Sequence, residues 1–393
     1  MPSIMAINGF RASAVASGMR YKDRLDLGLI VADRVQAAAG VFTRNVCQAA
    51  PVIWSRQRLR GARAILANSG QANAQSGQEG LEDCRLSAQA LAGFLKVPAN
   101  GILLASTGII GPRLNLPAMT AAMPGLVSSL SPDGLGDFAR AIMTTDTRPK
   151  EATAQAAIPG GPDIGIWGAA KGSGMIAPNM ATMLGFVLTD AAIEQDLLDG
   201  ILRRGAEASF NRVTVDGDTS TNDSLFLLAS GTAGGPPISG GPGAKAIEEA
   251  ILGVLLSLAR QIAKDGEGAT RLVEVSVIGA LDDPDARKAA RTVAESPLVK
   301  TAFFGADANW GRIMAALGRS GASFDPYKVD LDLDDVPWVR SGQDNGRDQA
   351  ASRVMGKPEY RLLINLNAGQ ASHSVLTCDL SHDYVSINGS YRS

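Results

Sequence analysis

The chain has 393 residues, enough for about two domains and a large core, and is 45% hydrophobic and 19% charged with a net charge of -2. With no basic or acidic block it lacks the electrostatic footprint of a nucleic-acid binder. Its three cysteines, Cys47, Cys84 and Cys378, form no C-x-x-C and its only histidines are His373 and His382; this disfavours a disulfide scaffold, a zinc ribbon, a His-based triad and a multi-His metal site, and fits a reducing cytoplasm.

Residues 1–17 lack the charged start and apolar core of a signal peptide, and no stretch approaches the roughly 20 apolar residues of a membrane helix. In chain order, strands are predicted at 9–12, 25–32 and 37–42, with another short one at Pro51–Trp54. A strand over 63–67 ends in the small polar stretch Asn68–Ala74. An amphipathic helix follows over 80–95, with Leu81, Leu86, Leu91 and Leu95 on its apolar positions. The strand 101–106 runs into Ser106-Thr107-Gly108, helices cover 116–130 and 135–143, and 144–150 is a polar loop.

Gly160-Gly161-Pro162 is a tight turn between strands at 152–158 and 164–169. The second strand delivers the chain to Lys171-Gly172-Ser173-Gly174, then through Pro178 and Ala181 to Thr182 and the apolar run 183–188. Further on, a helix is expected at 194–210, strands at 211–218 and 224–230, a Gly/Pro-rich loop at 231–243 and a long helix at 244–264. A strand at 272–278, a helix at 283–293 and late strands at 329–333 and 360–367 complete an α/β or α+β pattern.

The common catalytic motifs are absent: no phosphate loop, no H-E-x-x-H, no dinucleotide fingerprint and no G-x-S-x-G elbow. Polar clusters do stand at predicted strand ends. Ser106-Thr107-Gly108 offers a hydroxyl and backbone N–H groups in a turn that suits either an ordinary strand end or an oxyanion hole. Asp265-Gly266-Glu267-Gly268 sets a carboxylate between glycines. Asp216–Asp223 lacks the Ca²⁺-loop pattern and reads better as a hydrogen-bonded turn. By β-propensity alone Thr182 is a strand residue. As a nucleophile without histidine it needs a base, and a chain-terminal threonine has one in its own α-amine, of pKa roughly 7.7–8.0. That scheme requires cleavage of the Ala181–Thr182 bond, with Thr182 Oγ attacking the Ala181 carbonyl and water hydrolysing the resulting ester.

Several motifs in consistent order carry a resemblance over nearly the whole chain: Val41–Arg44, Asn68-Ser69-Gly70, Ser106-Thr107-Gly108, Ile142–Asp146, Lys171–Leu184, Phe210-Asn211-Arg212, Asp216–Asp223, Asp265–Gly268, Ser296–Thr301, Asn309–Arg312 and Tyr384–Asn388. The sequence resembles the glutamate N-acetyltransferase/ornithine acetyltransferase family of arginine biosynthesis. The resemblance implies self-cleavage before Thr182 into an α chain, 1–181, and a β chain, 182–393, the first lying mostly in one domain and the second contributing to both. It implies a layered αββα sandwich with a second, smaller α/β domain, an α2β2 heterotetramer, and neither cofactor nor metal. Thr182 would be the nucleophile and Thr107 and Gly108 the oxyanion hole. Thr144 or Thr145 (Thr144 favoured), Lys171, Glu267, Asn388 and Ser393 would contact substrate. The implied reaction is ping-pong transfer of acetyl from N2-acetylornithine to glutamate, with acetyl-CoA open as a second donor. Two positions depart from many relatives: Gln75 stands where they have Cys, and Ala308 where they have Pro. A self-cleaving amidase or aminopeptidase of related fold, and a catalytically silent binding homologue, are the competing readings.

Overall fold

The computed structural model describes residues 6–177 and 183–390. These form two compact units, one from 6–172, 183–211 and 219–262, the other from 173–177, 212–218 and 263–390.

The first unit is built on two sheets. One has the strand order Phe10–Val15, Leu27–Ala32, Ala64–Asn68, Ile102–Ser106, with the last two parallel and the other pairs antiparallel. The other runs Ala37–Phe42, Ser224–Ala229, Leu184–Thr189, Asp163–Lys171, Lys150–Ala157, with only the second and third strands parallel. Continuous apolar runs mark strands buried on both faces. Leu27–Ala32 shows how: Leu27, Leu29 and Val31 join a core with Cys84, Leu91, Met119 and Met123 of helices Gly77–Leu95 and Leu116–Ser128. Ile30 and Ala32 face the other way, into a core shared with Trp167, Leu184, Phe186 and Phe226 of the second sheet. There Phe186 meets Phe138 edge-on at 4.9 Å and stacks on Phe226 at 5.7 Å. Behind the second sheet lies helix Gly241–Lys264; a Cβ on Gly168 would come within 2.6 Å of its Val254. Helix Gln195–Ala208 packs against Ala37–Phe42 in the same layer. The order of layers is α, β, β, α, as expected.

The second unit carries a mixed six-stranded sheet: Gln343–Asp344, Val336–Arg340, Asp330–Leu333, Glu359–Asn365, Leu272–Ala280, Ala371–Cys378. Helices Asp283–Ala294, Pro297–Gly305, Trp310–Gly318 and Asp348–Met355 accompany it, and Val273, Val275, Ala286, Val293, Phe303 and Trp338 share its core. Asp282 caps the first of these helices, accepting from Asp285 N–H at 2.8 Å. This is the smaller α/β domain.

Two predicted strands are not strands. Pro51–Trp54 lies in helix Ala50–Arg56, with proline in the first turn where its missing N–H costs nothing. Trp54 Nε1 and Ser55 Oγ donate to the Ile102 and Leu104 carbonyls, fixing that helix on its neighbour strand; a four-residue apolar run has no period that separates helix from strand. Residues 211–218 begin with a 3-10 turn, Phe210–Arg212, make one bridge from Val213 to Leu376 and then bend. Asp216 diverts that segment, because its carboxylate accepts the Met175 and Ile176 N–H groups at 2.6 and 2.9 Å. Lys150, placed in the polar loop by sequence, opens strand Lys150–Ala157. Among the described residues no helix is long and apolar enough to cross a membrane.

Candidate active site

In the first unit, parallel strands Ala64–Asn68 and Ile102–Ser106 end side by side. Their ends are tied together: Ser106 Oγ donates to Asn68 Oδ1 at 2.6 Å and Thr107 N–H to the Asn68 carbonyl at 3.0 Å. Asn222 Nδ2 donates to the Ala72 and Ser106 carbonyls at 2.6 and 2.8 Å. Gly108 follows with φ +129°, and a Cβ there would collide with the carbonyl group of Gly70. Glycine is therefore required by both the backbone conformation and the close approach. Among the described residues the Gly108 N–H has no hydrogen-bond partner, which is the condition of an oxyanion donor.

Strand Asp163–Lys171 brings Lys171 to the same place. Its Nζ donates to Thr144 Oγ1 at 2.7 Å and to Thr107 Oγ1 at 3.3 Å, and its side chain is 9% exposed. Asp146, fully buried, lies 3.8 Å from Lys171 Nζ and accepts from a second buried lysine, Lys150, at 2.6 Å. It also accepts the Gly172 N–H at 2.7 Å and the Thr144 N–H at 3.0 Å. Burial alone pushes its carboxyl up, but the charges of Lys171 and Lys150 and the hydrogen bonds from Lys150 and Thr144 outweigh burial and hold it well below the usual carboxylate range. Arg24 donates to the Met143 and Thr144 carbonyls and packs over Tyr21 at 4.3 Å, anchoring the loop from outside.

The second unit holds Glu267 in the turn after helix Gly241–Lys264. It is 7% exposed, its N–H donates to the Ser173 carbonyl at 2.8 Å, and its Oε2 accepts from Asn388 Nδ2 at 2.7 Å. Gly174 leaves room for that carboxylate, which a Cβ would overlap. Asn388 is exposed on helix His382–Gly389. In that helix Tyr384 OH donates to Asp216 at 3.4 Å. Burial, reinforced by Asp218, raises the Asp216 carboxyl despite three backbone N–H bonds.

Of the residues singled out by sequence, Thr107, Gly108, Thr144 and Lys171 come together in the first unit, with Thr145 half-buried beside Thr144, and Glu267 and Asn388 come together in the second. Ala181, Thr182 and Ser393 lie outside the described residues. Leu184, two residues after Thr182 in the chain, is the register partner of Lys171. Asp146 and Lys150 had no assigned role. Their i, i+4 spacing in Asp146-Thr147-Arg148-Pro149-Lys150 was visible, but nothing in a polar loop announces that both ends are buried.

A model of the ArgJ family matches residues 11–393. The chain belongs to the ArgJ family. The arginine biosynthesis bifunctional protein ArgJ of Desulfotalea psychrophila is 48% identical over 99% of this chain and 100% of its own length. That of Geobacter sulfurreducens is 47% identical with the same coverage. Among solved structures, ArgJ from Bacillus halodurans is 38% identical, covering 51% of this chain and 95% of that one, with a TM-score of 0.49. The resemblance carried by the sequence motifs is thus a family membership, and the ArgJ motifs at Ser106–Gly108, Ile142–Asp146 and Lys171 are those that meet in the first unit.

Proposed function

We propose that the chain transfers an acetyl group from N2-acetyl-L-ornithine to L-glutamate in arginine biosynthesis. The observation that carries this reading is the ArgJ match over residues 11–393, with full-length relatives at 47–48% identity named for arginine biosynthesis.

In the proposed reaction the chain first cleaves itself between Ala181 and Thr182. Thr182 Oγ then attacks the acetyl carbonyl while the freed α-amine takes the hydroxyl proton. Thr107 and the Gly108 N–H stabilise the tetrahedral oxyanion, each such donor contributing about 3 kcal/mol. The C–N bond breaks, ornithine leaves with the proton, and an acetyl-threonine ester remains. The glutamate amine attacks that ester, and Thr182 Oγ recovers its proton. One amide is exchanged for another, so the reaction is nearly neutral in energy and depends on excluding water from the ester. Amino-acid substrates carry both charges; Lys171 and Glu267 supply the complementary ones, with Thr144, Thr145, Asn388 and Ser393 as further contacts.

An α2β2 assembly of the cleaved chains, a cytoplasmic location and independence of any cofactor belong to the same proposal. The relatives' name, bifunctional, supports acetyl-CoA as a second acetyl donor to glutamate.

Two measurements test the reading. Acetylornithine is incubated with the enzyme with and without glutamate; acetylglutamate is expected, and acetate release at full rate without glutamate would replace the transferase by an amidase. Intact mass is expected to show two chains from the parent protein and one from Thr182→Ala; an unprocessed parent would remove the N-terminal nucleophile from the mechanism.

A further inference from the structure

In the first-unit cluster two lysine ammoniums, Lys150 and Lys171, both face the carboxylate of Asp146. The two distances differ. Lys150 Nζ stands 2.6 Å from Oδ1, whereas Lys171 Nζ stands 3.8 Å from Oδ2, beyond direct hydrogen-bond reach. The remaining capacity of the carboxylate is taken by the Gly172 and Thr144 N–H groups. Lys171 does donate to two hydroxyl oxygens, Thr144 Oγ1 at 2.7 Å and Thr107 Oγ1 at 3.3 Å. An ammonium only donates. Each threonine oxygen that accepts from Lys171 must turn its own proton elsewhere, and a positive charge on the oxygen strengthens that O–H as a donor.

We infer that Lys171 polarises the Thr107 hydroxyl as an oxyanion donor, and that Lys150 is a positioning residue which occupies Asp146 so that Lys171 is left on Thr107. The inference rests on the oxyanion role of Thr107 in the proposed function and adds to it. It assigns Lys171 work in the transition state besides any contact with substrate, and it gives the buried Lys150–Asp146 pair a function other than holding the fold. Without Lys150, Asp146 has one cation left to pair with, and draws Lys171 away from Thr107.

Crystal structures and steady-state kinetics of Lys150→Met decide this. In the variant, Lys171 Nζ is expected at about 2.8 Å from Asp146, a charge-assisted hydrogen bond, with its contact to Thr107 lost. The value of kcat is expected to fall about 10- to 100-fold, part of the loss of a whole oxyanion donor, while KM for acetylornithine changes little. In a Thr107→Ala background Lys150→Met should cost nothing more. Adding Asp146→Asn to Lys150→Met should return Lys171 to Thr107 and recover part of kcat. A merely structural pair would make the double variant worse. Lys171 found unmoved on Thr107 in Lys150→Met, or losses from Lys150→Met and Thr107→Ala that multiply, would overturn the inference. If Lys150→Met does not fold, Asp146→Asn/Lys150→Met carries the same test, and a kcat as low as that of Thr107→Ala counts against it. If the parent enzyme transfers no acetyl group, the functional reading falls, and the position of Lys171 in the variant crystals still decides the positioning claim.

Discussion

A carboxylate buried between two lysines stabilises the protein only while it is ionised. Asp146 has a folded pKa held below the ordinary value of about 3.9, so its contribution is complete above that pH and is lost as pH falls through the folded value. Asp146→Asn removes the carboxylate that Lys150 and Lys171 share and is expected to cost about 3–5 kcal/mol near neutral pH. The difference from the parent should narrow below about pH 4; urea unfolding at pH 7 and pH 3.5 measures it, and a gap that is the same at both would mean that the charge of Asp146 is not what stabilises. At Gly108 the constraint is steric. Gly108→Ala forces a side chain into Gly70 at a φ of +129°, and if the Gly108 N–H is the proposed oxyanion donor, its displacement should lower kcat by about 10²–10³. A single-turnover assay of the acetyl-threonine ester proposed at Thr182 would show whether the loss falls on the first acyl step.

The element that positions the site is the strand Asp163–Lys171, which enters the core at Ile164 and delivers Lys171 at its far end. Helix Gly241–Lys264 crosses it at Gly168, and Gly168→Ala would push Val254 and Leu258 outward. Overpacking of this kind costs about 1–3 kcal/mol, to be read as a lower urea midpoint with an unchanged slope. Strands of this type were legible in sequence because burial on both faces makes them unbroken apolar runs, as at Leu27–Ala32 and Ser224–Ala229. The late strand Ala371–Cys378 and helices Pro297–Gly305, Trp310–Gly318 and Asp348–Met355 did not stand out; the strand turns the polar residues His373 and Thr377 inward, and the helices are too short to repeat their apolar face over many turns. Within the site, glycines and hydroxyls at strand ends were readable one by one. The sharing of Asp146 by Lys150 and Lys171 was not, because pairing across a sheet brings together residues that sequence spacing leaves unrelated.

At the scale of the molecule, the five-stranded sheet matters most. Three of its strands, Ala37–Phe42, Lys150–Ala157 and Asp163–Lys171, precede Thr182, and two, Leu184–Thr189 and Ser224–Ala229, follow it. The two later strands are inserted between the earlier ones. Cleavage before Thr182 would leave both fragments hydrogen-bonded within one sheet and packed in one core. The cleaved protein should therefore run as one species under native conditions and as two bands in denaturant; fragments that separate without denaturant would contradict this placement of the strands.

The same interleaving changes the molecularity of folding. The precursor folds as one chain, its two halves held at high effective concentration by the peptide bond at 181–182. Once that bond is cut, the reverse of unfolding becomes a second-order encounter between two polypeptides, each with an incomplete sheet. If the proposed cleavage occurs, the apparent melting temperature of the cleaved protein should rise with protein concentration, while that of Thr182→Ala should not. A molecule cut there would fold efficiently once, before the cut, and from then on would be a complex assembled by its own history.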